Sequence, residues 1–332
     1  MSGTISTHRD GGISPEEERI FSGLLLTINK ILTPAVIVLG LFGNILSIII
    51  LGQPRHAKLT TCFYMRVLSA FDSTILLTQV LVRCVVNYHP NLVIEYGIFF
   101  CPMMLFTGGT FGLSNLTIAA MTLDRFLAVR FPLKVASWCT KKRCKITSGV
   151  IILFCLGLTI PLSMRTFNPR PGAVLKDICG FDPELFPEWY PQTIEVIHST
   201  CMLTAPFFLI LIFNVAIILT LVKQRVCSAE SQLHFQGTKK KDGHVTVLLF
   251  AVTITFFITN IPWTVDQWVW EILVIDMSPR LQMIKKIVYE IEIFLLYLNP
   301  SVNFYVYCMA CQKFREDVRA LFCQLIGTKN DD

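Results

Sequence analysis

The sequence predicts an all-α membrane protein, a bundle of seven transmembrane helices followed by a short amphipathic eighth helix. Hydrophobic residues make up 53% of the 332 residues and charged residues only 16%, whereas soluble domains usually carry about a quarter charged residues. Seven apolar runs are long enough to cross a bilayer core as helices. The alternating pattern of membrane-barrel strands does not occur among them, and helices are the other structure that satisfies its backbone in lipid.

The apolar runs define the expected spans in chain order. They are Ile31–Leu51, Val67–Val82, Ile98–Leu123, Ile146–Met164, Val196–Val222, Val245–Val265 and Ile293–Cys311. After the last run, residues 313–326 place apolar side chains on one helical face and charged side chains on the others. This pattern is typical of a helix that lies on membrane lipids. Cys323 on this segment is a candidate for palmitoylation.

Lys and Arg indicate the orientation of the bundle. They concentrate after the first, third, fifth and seventh runs, whereas the opposite segments are rich in Asp and Glu. Basic loops remain cytoplasmic, so we expect an extracellular N-terminus (1–28), a seven-transmembrane domain (29–310), and an amphipathic helix with a short cytoplasmic tail (311–332). The net charge of +6 follows from this topology, and nucleic acid is not an expected partner.

Two of the twelve cysteines are positioned to form a disulfide. In the expected orientation, Cys101 begins the third run on the outer side and Cys179 lies in the second outer loop. These two thiols are clearly in the oxidising compartment, where disulfides persist. We predict that they pair; two free extracellular thiols are the alternative. Cys84, near the outer end of the second run, is expected to face lipid or a neighbouring helix.

A layer of polar side chains is expected inside the membrane. Counted from the inner helix ends at about 1.5 Å per residue, this layer lies roughly 10–17 Å deep. A carboxylate at that depth costs about 2.5–3.5 kcal/mol to insert, so Asp72 should have partners. Two interpretations remain open. Either Asp72, Ser114, Asn299 and Asn303 bind a sodium ion with Asn44 in the supporting network, or these residues form a hydrogen-bonded packing network around a neutral Asp72.

Several short motifs occur in chain order, each on the expected helix. They are Gly43-Asn44, Leu68-Ser69-Ala70-Phe71-Asp72, Cys101, Asp124-Arg125-Phe126, Pro206, Phe256 with Pro262, and Asn303 with Tyr307 and Phe314. Together they resemble the signature set of rhodopsin-like G-protein-coupled receptors over about residues 28–325. The resemblance implies a plasma-membrane receptor that couples an extracellular ligand to a heterotrimeric G protein, with no cofactor beyond a modulatory sodium ion.

The resemblance also implies an activation switch. In that family the arginine of the third helix, here Arg125, is held by its neighbouring acid, here Asp124, until the sixth helix swings outward. A permanently charged guanidinium beside a titratable carboxylate suits such a two-state lock. An interfacial ion pair that only anchors the third helix is the alternative. The expected coupling and switch residues are Asp124, Arg125, Phe126, Phe256, Asn260, Pro262, Asn303 and Tyr307.

The chain departs from the family pattern at several positions. Phe304 stands where the seventh helix of the family has proline, and Pro300 is expected to move the kink about one turn outward. Asn260 replaces the usual tryptophan of the sixth helix, and Asn214 replaces the usual tyrosine of the fifth. These changes concern the details of activation and leave the family resemblance intact.

The outer helix ends predict a ligand site. Thr107 replaces the aspartate that pairs with amines in this family, and Tyr297 replaces the lysine that binds retinal in opsins. The outer mouth is instead acidic and aromatic, which suits a cationic, aromatic peptide, although Trp and Tyr gather at membrane interfaces in general. The candidate ligand-binding residues are Thr107, Phe111, Glu195, Trp263, Gln267, Trp270 and Tyr297.

The seventh span gives a narrower resemblance. The segment from Ser301 to Cys308, followed by Lys313-Phe314-Arg315, is similar to invertebrate FMRFamide-type neuropeptide receptors. A cationic or amidated neuropeptide is therefore the expected ligand, with a small molecule acting on a chemosensory receptor as the alternative. A seven-helix transporter or an intramembrane enzyme is disfavoured, because the sequence has no internal repeat, no metal-ligand spacing among its six histidines and no nucleophile beside a base.

Overall fold

Long helices make up most of the described chain. The computed structural model describes residues 14–56, 59–88, 96–164, 166–167, 179–230, 239–273 and 278–327. Its helices are α1 (Pro15–Thr27, Ile28–Leu32 and Thr33–Leu51), α2 (Thr60–Tyr88), α3 (Gly97–Arg130), α4 (Lys141–Thr159), α5 (Trp189–Ser199, Thr200–Thr204 and Ala205–Glu230), α6 (Lys239–Leu273), α7 (Pro279–Ala310) and α8 (Gln312–Ile326). A one-turn helix, Val135–Trp138, and two 3-10 turns, Pro54–His56 and Pro161–Met164, connect them.

Seven of these helices pack as a bundle. Within the described residues, five segments are long and apolar enough to cross a membrane, namely Pro15–Leu51, Lys141–Met164, Trp189–Gln224, Val247–Asp266 and Arg280–Ala310. The helices α2 and α3 pack among them: α2 contacts α1 and α3, and α3 also contacts α4 and α5. Contacts of α7 with α6 and α1 close the ring. The predicted seven-helix bundle is confirmed.

The surface of the bundle is apolar where lipid would surround it. Large side chains such as Val38, Leu153, Leu219 and Ile258 are exposed on four different helices. A soluble protein rarely exposes so many large apolar side chains, whereas a bilayer solvates them. Inside the ring, Leu68, Ile118, Ala119, Ile210 and Phe256 form a buried apolar cluster.

Helix α1 begins earlier than the first apolar run. Ser14 caps it: the Ser14 hydroxyl accepts a hydrogen bond from the Glu17 N–H, and the Glu17 carboxylate accepts one from the Ser14 N–H. Such a capping box satisfies the free N–H groups of a first turn. The Glu17 carboxylate also forms an ion pair with Arg280 of α7 at 2.7 Å. Of the predicted segment 1–28, the structure describes the part from residue 14, and that part is largely helical.

Glycines let α1 approach α7 closely. A Cβ atom added at Gly40 would lie 2.6 Å from the Cα of Ser301, and one at Gly43 would lie 2.8 Å from the Cβ of Phe304. Small residues permit such close backbone approach between membrane helices. At the same interface, the amide of Asn44 donates a hydrogen bond to the carbonyl of Pro300 at 2.9 Å. The α1–α7 contact therefore centres on the turn of α7 around its internal proline.

Two of the helices each contain a π-helical turn. The apolar pattern of the sequence predicts neither turn. One is Ile28–Leu32 in α1, and the other is Thr200–Thr204 in α5. Turns of this kind widen a helix locally and often mark functional positions. In α5 the Met202 carbonyl within the turn accepts a hydrogen bond from the side-chain amide of Asn115 of α3 at 3.1 Å. The turn thereby supplies a polar contact between two apolar helices.

The amphipathic eighth helix is confirmed, with one unexpected orientation. The Asp317 carboxylate is buried, not solvated with the other charged residues: it accepts hydrogen bonds from Arg55 at 2.9 Å and from His56 at 2.8 Å. Phe314 is also buried and packs edge-on against the rings of Phe304 and Tyr307. The Asp317 contacts hold α8 on the turn that follows α1, and the Phe314 contacts hold it against α7.

The predicted disulfide is confirmed. Cys101 near the start of α3 is bonded to Cys179, with the two Cα atoms 5.6 Å apart. Cys179 belongs to strand β2 (Cys179–Gly180), which pairs antiparallel with β1 (Thr166–Phe167). The disulfide thus fixes strand β2, which lies between α4 and α5, to the start of α3. The side chain of Cys84 lies outside the described residues.

Candidate functional site

Asp72 of α2 lies at the centre of a polar network inside the bundle. Its side chain is fully buried. One carboxylate oxygen accepts a hydrogen bond from the Ser114 hydroxyl of α3 at 2.7 Å, and the other accepts one from the Asn303 amide of α7 at 2.7 Å. Three helices are therefore joined through one carboxylate, and two of the expected partners of Asp72 are where the depth count predicted.

The amide oxygens near this network retain free acceptor capacity. The Oδ1 atoms of Asn44 and Asn303 are buried without a hydrogen-bond partner in the described part of the chain. Asn299 is buried on α7, but no hydrogen bond joins it to Asp72 among the described residues. Buried acceptors are normally satisfied, and carboxylate, amide and hydroxyl oxygens are the ligands that hard cations prefer.

The oxygen ligands available around Asp72 limit the kind of cation that can bind there. No group of three or more His, Cys, Asp or Glu residues suited to a metal occurs among the described residues. Asp72 would therefore act with neutral oxygens from Ser114 and Asn303. A single negative charge fits a monovalent cation better than a divalent one, because a buried ion needs its charge balanced. The residues present are compatible with sodium.

The Asp124-Arg125-Phe126 triplet lies near the end of α3. The Asp124 carboxylate is buried and accepts a hydrogen bond from the hydroxyl of Thr60, the first residue of α2, at 2.9 Å. Phe126 stacks on Phe213 of α5 with ring centroids 5.9 Å apart. The acid of the triplet is thus tied to α2 and its aromatic residue to α5, on either side of Arg125.

Arg125 borders a small cavity between α3, α5 and α6. The cavity is lined by Thr122, Arg125, Val129, Asn214, Ile217, Leu249 and Phe250. Asn214 donates a hydrogen bond to the Ile210 carbonyl of its own helix. Apart from Arg125, the lining carries no charged side chain. Arg125 is therefore the one charged residue among those that line this space.

A thiol in the loop after α3 contacts the backbone of Asp124. Cys139 follows the one-turn helix after α3, and its Sγ donates to the backbone carbonyl of Asp124 at 3.7 Å. Burial, and secondarily the neighbouring Asp124, raises the pKa of the Cys139 thiol to about 12. The thiol consequently remains protonated at physiological pH and keeps its donor role.

The remaining expected switch residues lie deeper in α6 and α7. Phe256 is fully buried in the central cluster, and its carbonyl accepts a hydrogen bond from the Asn260 amide at 2.8 Å. Pro262 lies two residues further along α6. Tyr307 is fully buried against Phe314, and its hydroxyl has no hydrogen-bond partner within the described residues. Phe256 and Tyr307 therefore belong to two different buried clusters of the bundle.

Two of the expected ligand-binding residues pack together. The rings of Phe111 of α3 and Tyr297 of α7 stack with centroids 6.4 Å apart. The Tyr297 hydroxyl donates a hydrogen bond to the side-chain oxygen of Gln79 of α2 at 2.7 Å. Tyr297 is buried, so its ring and hydroxyl join α7 to α3 and α2 inside the bundle.

Of the other five expected ligand-binding residues, the structure describes the side chains of two, Trp263 and Glu195. Trp263 of α6 packs against Tyr289 of α7 with ring centroids 5.9 Å apart. Glu195 is exposed on α5. The remaining three fall outside the residues whose side chains are described, namely Thr107, Gln267 and Trp270.

The sequence analysis did not identify three residues that contact the expected site residues. Thr60 binds Asp124, Phe213 stacks on Phe126, and Gln79 binds Tyr297. Gln79 could have been found, because it follows Asp72 by seven residues, about two turns along the same helix face. Thr60 and Phe213 carry no such signal, since no expected site residue lies one or two turns away on their own helices.

Comparisons with known proteins agree with this architecture. The model of the 7 transmembrane receptor (rhodopsin family) matches residues 43–307. The FMRFamide receptor of Drosophila melanogaster is 26% identical over 299 residues, which cover 86% of this chain and 52% of that protein. The growth hormone secretagogue receptor type 1 of Homo sapiens is 22% identical, covering 85% and 76%. The neuromedin-U receptor 1 of Rattus norvegicus is 22% identical, covering 86% and 70%. The chain thus spans about half the length of the Drosophila protein.

Proposed function

Because the chain belongs to the rhodopsin family of seven-transmembrane receptors, a family of multi-pass plasma-membrane proteins, we propose that it couples an extracellular peptide to a heterotrimeric G protein. The observation that carries the proposal is the family match over residues 43–307. Arg125, the charged residue of the cavity between α3, α5 and α6, supports it. A cytoplasmic protein that docks between these helices would contact the residues that line this cavity, Arg125 among them.

The proposed ligand is a cationic peptide with an amidated end. One similar protein is named for FMRFamide, a peptide amide that carries arginine and phenylalanine. The outer half of α6 and α7 in this chain supplies acids and rings, including Asp266, Glu292, Trp263 and Tyr289. Such groups attract a basic, aromatic ligand through charge complementarity and cation–π contacts.

The experiment is G-protein activation in cells that express this chain. A panel of amidated Arg-Phe peptides would be tested beside small amines and lipids, with peptides of free carboxyl terminus as matched controls. We expect activation by amidated peptides and none in untransfected cells. A response to a small molecule alone would keep the receptor and replace the peptide with the chemosensory alternative.

We also propose that the N-terminus is extracellular. The segments after α1, α3, α5 and α7 are basic, as expected for cytoplasmic loops, and the Cys101–Cys179 bond would then lie on the oxidising side. An epitope tag before residue 14 should be stained on intact cells, whereas a tag after residue 327 should need permeabilised cells. The reverse pattern would overturn this orientation.

We further propose that the Asp72 network binds sodium. Replacing Asp72 with Asn should remove the sodium dependence of agonist affinity, because the single charge of the site is lost while its shape is kept. The matched control is Asp182→Asn, which removes a carboxylate outside the bundle. The measurement compares sodium with potassium at one ionic strength, on both agonist affinity and the melting temperature of purified receptor. An unchanged sodium response in Asp72→Asn would favour the packing network.

A further inference from the structure

Glu292 of α7 is a buried acid without a hydrogen-bond partner for one of its oxygens. The residue is 4% exposed, and its Oε2 atom has no partner in the described part of the chain. A buried carboxylate is costly to ionise unless a cation or several donors stabilise it, and buried polar groups are normally satisfied. Glu292 plays no part in the Asp72 network or the switch described above. Its position therefore calls for a partner that is not one of its described neighbours.

A second acid, Asp266 on α6, acts electrostatically on Glu292. The carboxylate of Asp266 lies within electrostatic range of Glu292 and also of Lys285. Two carboxylates that approach each other repel, and the Lys285 ammonium acts on Asp266. A further positive charge between α6 and α7 would relieve this repulsion. The pair thus favours a cation at this place.

Two aromatic rings lie beside the two acids. Trp263 precedes Asp266 by three residues, and Tyr289 precedes Glu292 by three residues, so each ring shares a helix face with its acid. The ring centroids are 5.9 Å apart at an angle of 47°. The contact between the two rings therefore brings together the parts of α6 and α7 that carry Asp266 and Glu292.

This combination distinguishes between kinds of cation. A small metal ion prefers several oxygen ligands, and among the described residues no group of three or more His, Cys, Asp or Glu suited to a metal occurs here or elsewhere. A guanidinium is planar and weakly hydrated, binds carboxylates through paired hydrogen bonds, and stacks on aromatic faces. We propose that Glu292 and Asp266 bind a guanidinium group of the ligand, with Trp263 and Tyr289 as its aromatic contacts. The proposal rests on the peptide-receptor function and assigns an arginine of the ligand to this site.

The test uses two probes that differ in charge alone. Arg-Phe-amide carries the guanidinium, whereas citrulline-Phe-amide has the same shape with a neutral urea. Binding would be measured as the concentration-dependent rise in melting temperature of the purified receptor. We expect the arginine probe to bind about ten- to a hundredfold more tightly than the citrulline probe, the range given by hydrogen bonds to charged groups. Glu292→Gln should bring the affinities of the two probes close together, because it weakens binding of the arginine probe and leaves binding of the citrulline probe unchanged.

Glu290→Gln is the matched control, because it makes the same change two residues away on another face of α7. It should keep the ratio. Asp266→Asn provides a second test that does not depend on how Glu292→Gln folds, and it should also lower the ratio. Equal behaviour of the two probes on the unmodified receptor, or an unchanged ratio in both acid variants, would overturn the proposal.

The outcome also separates this site from the proposed function. Charge-dependent binding without G-protein activation by any Arg-Phe peptide would overturn peptide signalling and support the guanidinium site. If amidated peptides activate the receptor and their arginine and citrulline forms are equally potent, peptide signalling is supported and the guanidinium site is overturned.

Discussion

Replacing Arg125 with alanine is expected to abolish G-protein activation while leaving ligand binding intact. Arg125 is the charged residue in the lining of the cavity between α3, α5 and α6. The expected ligand residue Phe111, which stacks on Tyr297, lies about four turns before Arg125 on α3. Loss of a buried, hydrogen-bonded charge at an interface weakens association by about 30-fold or more. Nucleotide exchange on the G protein and ligand binding would be measured on the same membranes.

Arg143→Ala is the matched control for this change. Arg143 is exposed at the start of α4 and donates a weak hydrogen bond to the Trp138 carbonyl at 3.4 Å. The Arg143→Ala substitution removes an arginine from the same end of the bundle, outside the cavity, and should leave signalling unchanged. Signalling that survives Arg125→Ala would indicate that Asp124-Arg125 serves only to anchor α3.

Replacing Gly40 with alanine is expected to destabilise the receptor by forcing α1 away from α7. The added methyl would lie 2.6 Å from the backbone Cα of Ser301, an atom that cannot move without the helix. Overpacking of this kind costs about 1–3 kcal/mol. The same backbone shift would strain the hydrogen bond from Asn44 to the Pro300 carbonyl. The melting temperature of purified receptor and its surface expression should both fall.

Gly157→Ala on α4 provides the comparison, because nothing lies within 4 Å of the added methyl. Alanine is a better helix former than glycine by about 1 kcal/mol, so this variant should be neutral or slightly more stable. Equal melting temperatures for the two variants would show that α1 and α7 adjust to the extra volume.

The sequence predicts those parts of the fold that depend on the membrane as a solvent. Apolar runs mark the spans, basic segments indicate the side of each loop, and depth counts bring Asp72 together with Ser114 and Asn303. These inferences need only position along the bilayer normal. The disulfide between Cys101 and Cys179 follows for the same reason, because compartment alone selects that pair.

Contacts that depend on helix rotation could not be predicted in this way. Asn44 has the expected depth but binds the Pro300 carbonyl and not Asp72. Asp317 belongs to a charged face in the sequence pattern, yet it turns inward to Arg55 and His56. Hydropathy also underestimates helix length, since Ser14 and its capping box extend α1 beyond the apolar run. Tertiary packing sets these details, and it has no periodic signature.

The π-helical turn at Thr200–Thr204 determines where α5 can gain or lose a residue during evolution. Each residue turns an α-helix by about 100°, so a deletion elsewhere in α5 would rotate one half of the helix away from its neighbours. A deletion within the π turn would convert it to a regular turn and keep both halves in register, at the cost of the contact between Met202 and Asn115. Alignments of α5 with related receptors should therefore open a one-residue gap at this turn.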